Sequence, residues 1–171
     1  MIMKNIASIL ILTFTLQYFL FAQENTNADN SDNLYGHALF AGIKSMDKEW
    51  GHIKDCHDTT RVQINYKNIV LDSDPELTDS IPTSHDNVQV ELLDRQGLLE
   101  RSKSLNKAIP VIRLHPIKNN KSKLLISLTL YWVSYKNSLL HYALSDWCTV
   151  TFSFDCRKNK YIVMKTELGG I

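Results

Sequence analysis

Three runs near the C-terminus decide the fold. The first reads Leu124-Leu-Ile-Ser-Leu-Thr-Leu-Tyr-Trp-Val-Ser-Tyr135 and breaks at Lys136-Asn137-Ser138. The second ends in Cys148-Thr-Val-Thr-Phe-Ser-Phe-Asp-Cys156, and the third is Tyr161-Ile-Val-Met-Lys-Thr-Glu-Leu168, after a break at Arg157-Lys158-Asn159-Lys160. Branched and aromatic residues that suit a pleated surface dominate each run, and each break has hairpin length. Residues 124–171 therefore read as a β-meander. In its first strand Leu124, Ile126, Leu128, Leu130 and Trp132 share one face, opposite Leu125, Ser127, Thr129, Tyr131, Val133 and Tyr135. Cys148, Val150, Phe152 and Phe154 make a further apolar face.

Working outward, residues 108–114 resume strand character, with Pro110 near the start and Pro116 beyond the end, which suits an edge or a strand terminus. Residues 93–105 read as a helix capped by Asp94, with Leu98, Leu99 and Ser102 inward and Gly97 weakening it. Residues 88–92 form a short strand and residues 81–87 a loop containing Ser84-His85-Asp86. Residues 72–79 alternate carboxylates, but the positions where a calcium loop needs Gly and Glu hold Leu77 and Thr83, so a turn capping a short helix is expected. Residues 61–71 alternate as a strand with one wet face. Residues 34–50 carry apolar residues at helical spacing, with Asp32 or Asn33 as cap, although Gly36 and Gly42 each cost roughly 1 kcal/mol in a helix interior. The fold class is α+β: an N-terminal helix and one further helix on a curved, mainly antiparallel sheet.

Residues 1–22 have the form of a signal peptide, with Lys4 ahead of an apolar stretch and Ala22 at the cleavage position. A polar, Asn- and Asp-rich leader follows at 23–33, then a single domain at 34–171. The expected location is periplasmic or extracellular, with membrane contact only through the leading segment if it is not cleaved. Without that segment about 150 residues remain, enough for one core. The 19 basic and 18 acidic residues nearly balance, which argues against nucleic acid or an anionic membrane as partner. The cysteines are Cys56, Cys148 and Cys156. In a continuous strand Cys148 and Cys156 stand roughly 26 Å apart, whereas a bridge needs Cα atoms within about 7 Å. The expected disulfide is Cys56–Cys156, closing about 100 residues and worth ~4–5 kcal/mol in the chain-entropy model.

The element order over residues 34–168, from helix and strands through a second helix to the C-terminal strands, resembles the NTF2-like fold. That resemblance implies a curved sheet wrapping helices around a pocket. A cystatin-like helix in an antiparallel sheet is the alternative. The chain as a whole, with Phe21-Ala-Gln23 closing the apolar stretch, the run Thr149-Val-Thr-Phe-Ser-Phe-Asp-Cys156 and a Glu167-Leu-Gly-Gly-Ile171 tail, is similar to small uncharacterised exported bacterial proteins. This implies a compartment and no activity.

Chemistry-bearing residues are scattered. His52, Asp55, Cys56, His57 and Asp58 crowd one loop, but no second ligand pair at zinc-site spacing accompanies them, so no metal site is assigned. Adjacent Ser84, His85 and Asp86 do not make a triad, which needs convergence in space. His141 and Ser145 on one strand lie about 13 Å apart. Ser145-Asp146 reads as a bend between strands. No Gly-x-Ser-x-Gly, His-Glu-x-x-His, Walker or Rossmann pattern occurs, and no cofactor is expected. Tyr131, Trp132, Tyr135, Tyr142 and Trp147 are the candidate ligand-binding residues, as aromatics with polar tips. The leading expectation is a non-catalytic exported protein that binds a small apolar ligand or a protein partner. The alternative is a small hydrolase or isomerase using His141 or Asp146 as acid or base, assisted by Tyr131.

Overall fold

Local capping chemistry sets the helices. The computed structural model describes residues 33–51 and 64–170, so the signal segment, most of the leader and Cys56 with its loop lie outside the described residues. Helix α1 (Leu34–Trp50) is capped by Asn33, whose Oδ1 accepts from the Gly36 amide at 2.9 Å. Its buried residues Ala38, Leu39, Gly42, Ile43 and Met46 recur at three- and four-residue spacing, one stripe of the helix. Strand β1 (Asn68–Asp72) leaves out residues 64–67, which the alternation at 61–71 includes. Asn65 is the reason. Its side chain accepts from the Lys67 amide at 3.0 Å and its carbonyl from Asn68, an Asx turn that competes with the ladder.

Helix α2 (Pro75–Thr78) is the short capped helix expected, with Asp74 accepting from the Glu76 amide. The stretch read as a loop contains a two-residue strand, β2 (Ser84–His85), paired to β3 (Val88–Leu93). Asp86 and Asn87 both have positive φ, the primed hairpin turn that Asn and Asp tolerate best among non-glycine residues. Helix α3 (Arg95–Leu105) is capped by Asp94, buries Leu98 and Ser102, and ends on a left-handed Asn106. Strands β4 (Ile109–Leu114), β5 (Lys118–Asn120), β6 (Lys123–Lys136), β7 (Leu139–Asp155) and β8 (Lys160–Gly170) follow.

The eight strands make one curved, open, mostly antiparallel sheet in the order β2-β3-β1-β4-β6-β7-β8, with β5 paired to β6 beyond the end of β4. The meander β6–β7–β8 stands as expected. Two pairings depart from it, because β1 runs parallel to both β3 and β4. The connection from β1 to β3 passes over one face, where Leu77 and Ile81 join the core; that from β3 to β4 passes over the other as α3. The two crossovers move in opposite directions over opposite faces, so they share one hand, as the handedness of parallel crossovers demands. Pro110 lies in an interior strand. It is tolerated because β1 pairs with β4 only at Val111 and Ile112, one residue further on.

The helices therefore cover opposite faces, and α3 does not share the side of α1. On the α1 face the main core gathers Leu39, Ile43, Met46, Leu71, Ile112, Ile126, Leu128, Cys148, Val150 and Phe152. On the α3 face a smaller core holds Leu98, Ile109, Val111 and Val133. Each fully buried Leu, Ile or Phe contributes roughly 1.5–3 kcal/mol relative to exposure. Gly42 sets the approach of α1: a Cβ there would stand 3.0 Å from both Leu128 methyls.

Candidate functional site

A change of face inside one strand determines which side chains meet. Leu130 pairs with Asp146 but the next residue, Tyr131, pairs with Leu144, so Ser145 is an extra residue on β7. Ser145-Asp146 is accordingly a bulge within a single 17-residue strand and not a bend between two. Before the bulge Leu140, Tyr142 and Leu144 lie on the α3 face; after it Cys148, Val150 and Phe152 lie on the α1 face.

On the α3 face, beyond the amino end of the helix, the carboxyl ends of β1 and β4 bring Asp72 and Arg113 together. The Arg113 guanidinium donates from Nε at 2.7 Å, and also from Nη2, to Asp72 Oδ2. Its Cζ stands 5.4 Å from the Tyr131 ring centre and 5.1 Å from that of Tyr142, cation–π range. The two tyrosines meet edge to face at 5.9 Å. Burial works against the Arg113 charge, yet the Asp72 hydrogen bond and charge outweigh it and raise its pKa. Tyr142 is held above its ordinary value by burial and then by Asp72. Beside them His115 Nε2 lies 2.7 Å from Thr129 Oγ1, and Ser127 and Thr149 hydroxyls pair at 2.9 Å. The pair is half open, with the Arg113 side chain 41% exposed and Asp72 14%.

Next to Tyr142 along β7 is a hollow of about 480 Å³ between the first turn of α3 and the start of β7. Arg95, Gln96 and Leu99 line it from the helix, and Leu139 and Leu140 from the strand. It is open to solvent on one side and lined by charged, amide and aliphatic side chains.

The five candidate aromatics divide between the faces. Tyr131 and Tyr142 converge on Arg113. Tyr135 is on the same face but takes the Lys103 ammonium at 4.6 Å. Trp147 lies against β8, its ring where a Gly169 Cβ would stand, so only glycine fits beneath it. Trp132, paired with Pro110 and Ala143, belongs to the α1 face. His141 and Asp146 also lie there. Their β6 partners, Ser134 and Leu130, are four residues apart, about 13 Å along a strand. His141 is exposed and contacts the Lys136 carbonyl at 3.2 Å, while Asp146 accepts from its neighbour Ser145. The geometry does not bring His141, Asp146 and Tyr131 together.

Cys148 is fully buried, and burial pushes its thiol up to about 11, which leaves it inert. Cys156 is exposed just past β7. β7 is extended from one to the other, which keeps the two a strand apart. Among the described residues no cluster of three or more His, Cys, Asp or Glu is placed to hold a metal ion, and no helix is long and apolar enough to cross a membrane.

Arg113, Asp72 and His115 were not singled out from sequence. The available signal was Arg113 itself, a lone cation in the apolar run Ile109-Pro-Val-Ile-Arg-Leu114. His115 gives a pH prediction. Burial first, then Arg113 and Lys118, lower its pKa below the ordinary 6.5. The unfolded chain takes up that proton more readily, so this contribution is full above 6.5 and is lost as pH falls from there through the folded value. Urea titrations of His115→Gln against the parent between pH 7.5 and 5 are expected to show a shallower loss of stability in the variant. Equal slopes would assign the loss to other groups. No family model, curated protein or solved structure matches the chain.

Proposed function

We propose that this is an exported, non-catalytic binding protein that holds a small planar, largely apolar ligand on the α3 face. The observation that carries the reading is the half-open Tyr131–Tyr142–Arg113 cluster beside the hollow at the start of α3. Tyrosine faces provide apolar contact with little conformational entropy to lose, and the hydroxyls and guanidinium rims fix orientation. Its position outside the carboxyl ends of parallel strands β1, β3 and β4 is where open sheets with such crossovers accept ligands. The dispersal of His141, Asp146 and Tyr131 over two faces weighs against the acid–base alternative.

Export rests on the form of residues 1–22. The exposed position of Cys156 supports its bridging to Cys56, since a loop can reach it without opening the core. The helix-first order and the C-terminal meander support an NTF2-like architecture, from which α3 on the opposite face is a departure.

The test is thermal denaturation with millimolar indole, 2-naphthol or cinnamate. At least one is expected to raise the midpoint; a ligand at 100 times its Kd adds about 2.7 kcal/mol. Tyr142→Ala should abolish that shift and His141→Ala should leave it intact. A shift undiminished in Tyr142→Ala, or a hydrolytic or isomerising activity lost in His141→Ala at unchanged midpoint, would overturn the reading.

A further inference from the structure

The far edge of the sheet carries an independent feature. Among the described residues β8 pairs with no strand but β7, although it is 11 residues long; on the α1 face the Ser45–Thr166 hydroxyl pair at 2.7 Å ties it to α1. Its outer row of amides and carbonyls is a template for another strand. The opposite edge, β2, has two residues. Proteins commonly defend a long edge with lysines and bulges, and β8 has both, but in an arrangement that leaves its middle apolar. Val163 and Met164 at the centre are 40% and 56% exposed, and Tyr161, edge to face with Phe154 at 5.3 Å, is 38% exposed. Charges stand to either side, Lys160 before this centre and Lys165 and Glu167 after it.

We infer that β8 pairs antiparallel with β8 of a second copy of this chain, joining two sheets across a two-fold axis. The register follows from two constraints. Thr151 pairs with Lys165 and Phe152 with Val163, so Met164 is an extra residue and the faces change parity there. Tyr161, Val163, Thr166 and Leu168 share the α1 face, whereas Ile162, Lys165 and Glu167 share the α3 face. An axis between Val163 and Met164 keeps both faces continuous: Tyr161 opposes Thr166 of the second copy, and Ile162 opposes its Lys165. The same register sets Lys160 of each copy opposite Glu167 of the other, two complementary pairs, and puts the exposed Val163 and Met164 together at the middle. An axis on Thr166 would instead match Lys165 with Glu167 but would set Val163 against Gly169, on opposite faces. Opposite charges directly across strands favour the first arrangement, and like charges there would oppose it.

The experiment is sedimentation equilibrium of the protein from 1 to 200 μM, with near-ultraviolet circular dichroism to confirm folding. The expected mass is that of two chains at the upper concentrations. Met164→Lys, an exposed site, should yield one chain with an unchanged spectrum, because it places two ammonium groups at the axis. Lys160→Glu and Glu167→Lys should each weaken association at least tenfold, and the double variant should regain most of it. A single-chain mass throughout would overturn the inference, including the case in which another segment of the chain covers β8. So would a dimer indifferent to Met164→Lys, or charge reversals without mutual rescue.

Discussion

Leu128→Ala is expected to cost roughly 2.5–5 kcal/mol, the range measured for fully buried leucines. Leu128 is wholly buried between α1 and the sheet, in the middle of β6, and both its methyls face Gly42. The cavity would open at the closest approach of helix and strand, where neither rigid element collapses easily. For a domain of this size the midpoint should fall by about 5–15 °C. The companion result is a change of sign. Gly42→Ala gains about 1 kcal/mol of helix propensity, but in the parent its Cβ would be 3.0 Å from two carbons, so the gain is cancelled or reversed. In the Leu128→Ala background those carbons are gone and Gly42→Ala should stabilise by about 1 kcal/mol. Chemical denaturation of the four proteins measures the cycle. If Gly42→Ala stabilised both backgrounds equally, close packing would not be the reason for glycine at this position.

That glycine illustrates how far the sequence could be read. It appeared as a defect in an otherwise regular helical stripe, and its purpose lies in a contact with a strand 86 positions away, which periodicity does not encode. The caps Asn33 and Asp94, and a capped short helix within residues 72–79, were legible because capping is local chemistry. The meander was legible because alternation and turn residues are local too. The site was only partly so. Leu140, Tyr142, Leu144, Cys148, Val150 and Phe152 alternate in the sequence without a break in parity, yet the bulge at Ser145 sends the first three to one face and the rest to the other. A one-residue insertion reverses every later side chain, and nothing in residues 139–155 except the polar pause at Ser145-Asp146 marks it. Tyr131 and Tyr142 are therefore legible as candidates from their chemistry, but their meeting depends on the bulge. Arg113 and Asp72 meet across a parallel pairing of β1 and β4, the long-range part of the topology that the meander does not predict.

Arg113→Met should separate what this pair does for stability from what it does for binding. Removing the guanidinium leaves the Asp72 carboxylate, 14% exposed, without its donor. A fully buried pair broken in this way costs about 3–5 kcal/mol and an exposed one under about 1, so the partial exposure of Arg113 places the expected loss near 1–3 kcal/mol. The stem of Met retains apolar contact with Tyr131 and Tyr142, so the loss reflects mainly the stranded charge. Asp72→Leu added to Arg113→Met should then recover most of the stability, since replacing both partners with apolar groups removes the desolvation penalty. Binding should not recover. With the cation gone, the two rings lose the group that holds their edge-to-face geometry at 5.9 Å, and any compound that stabilises the parent should give a reduced shift in both variants. Denaturant titration and the ligand-induced midpoint shift, measured on the same proteins, read the two effects independently. A double variant no more stable than Arg113→Met would remove the stranded carboxylate as the cause. A full ligand shift in the double variant would place the binding site away from Arg113, in the hollow at the start of α3 alone.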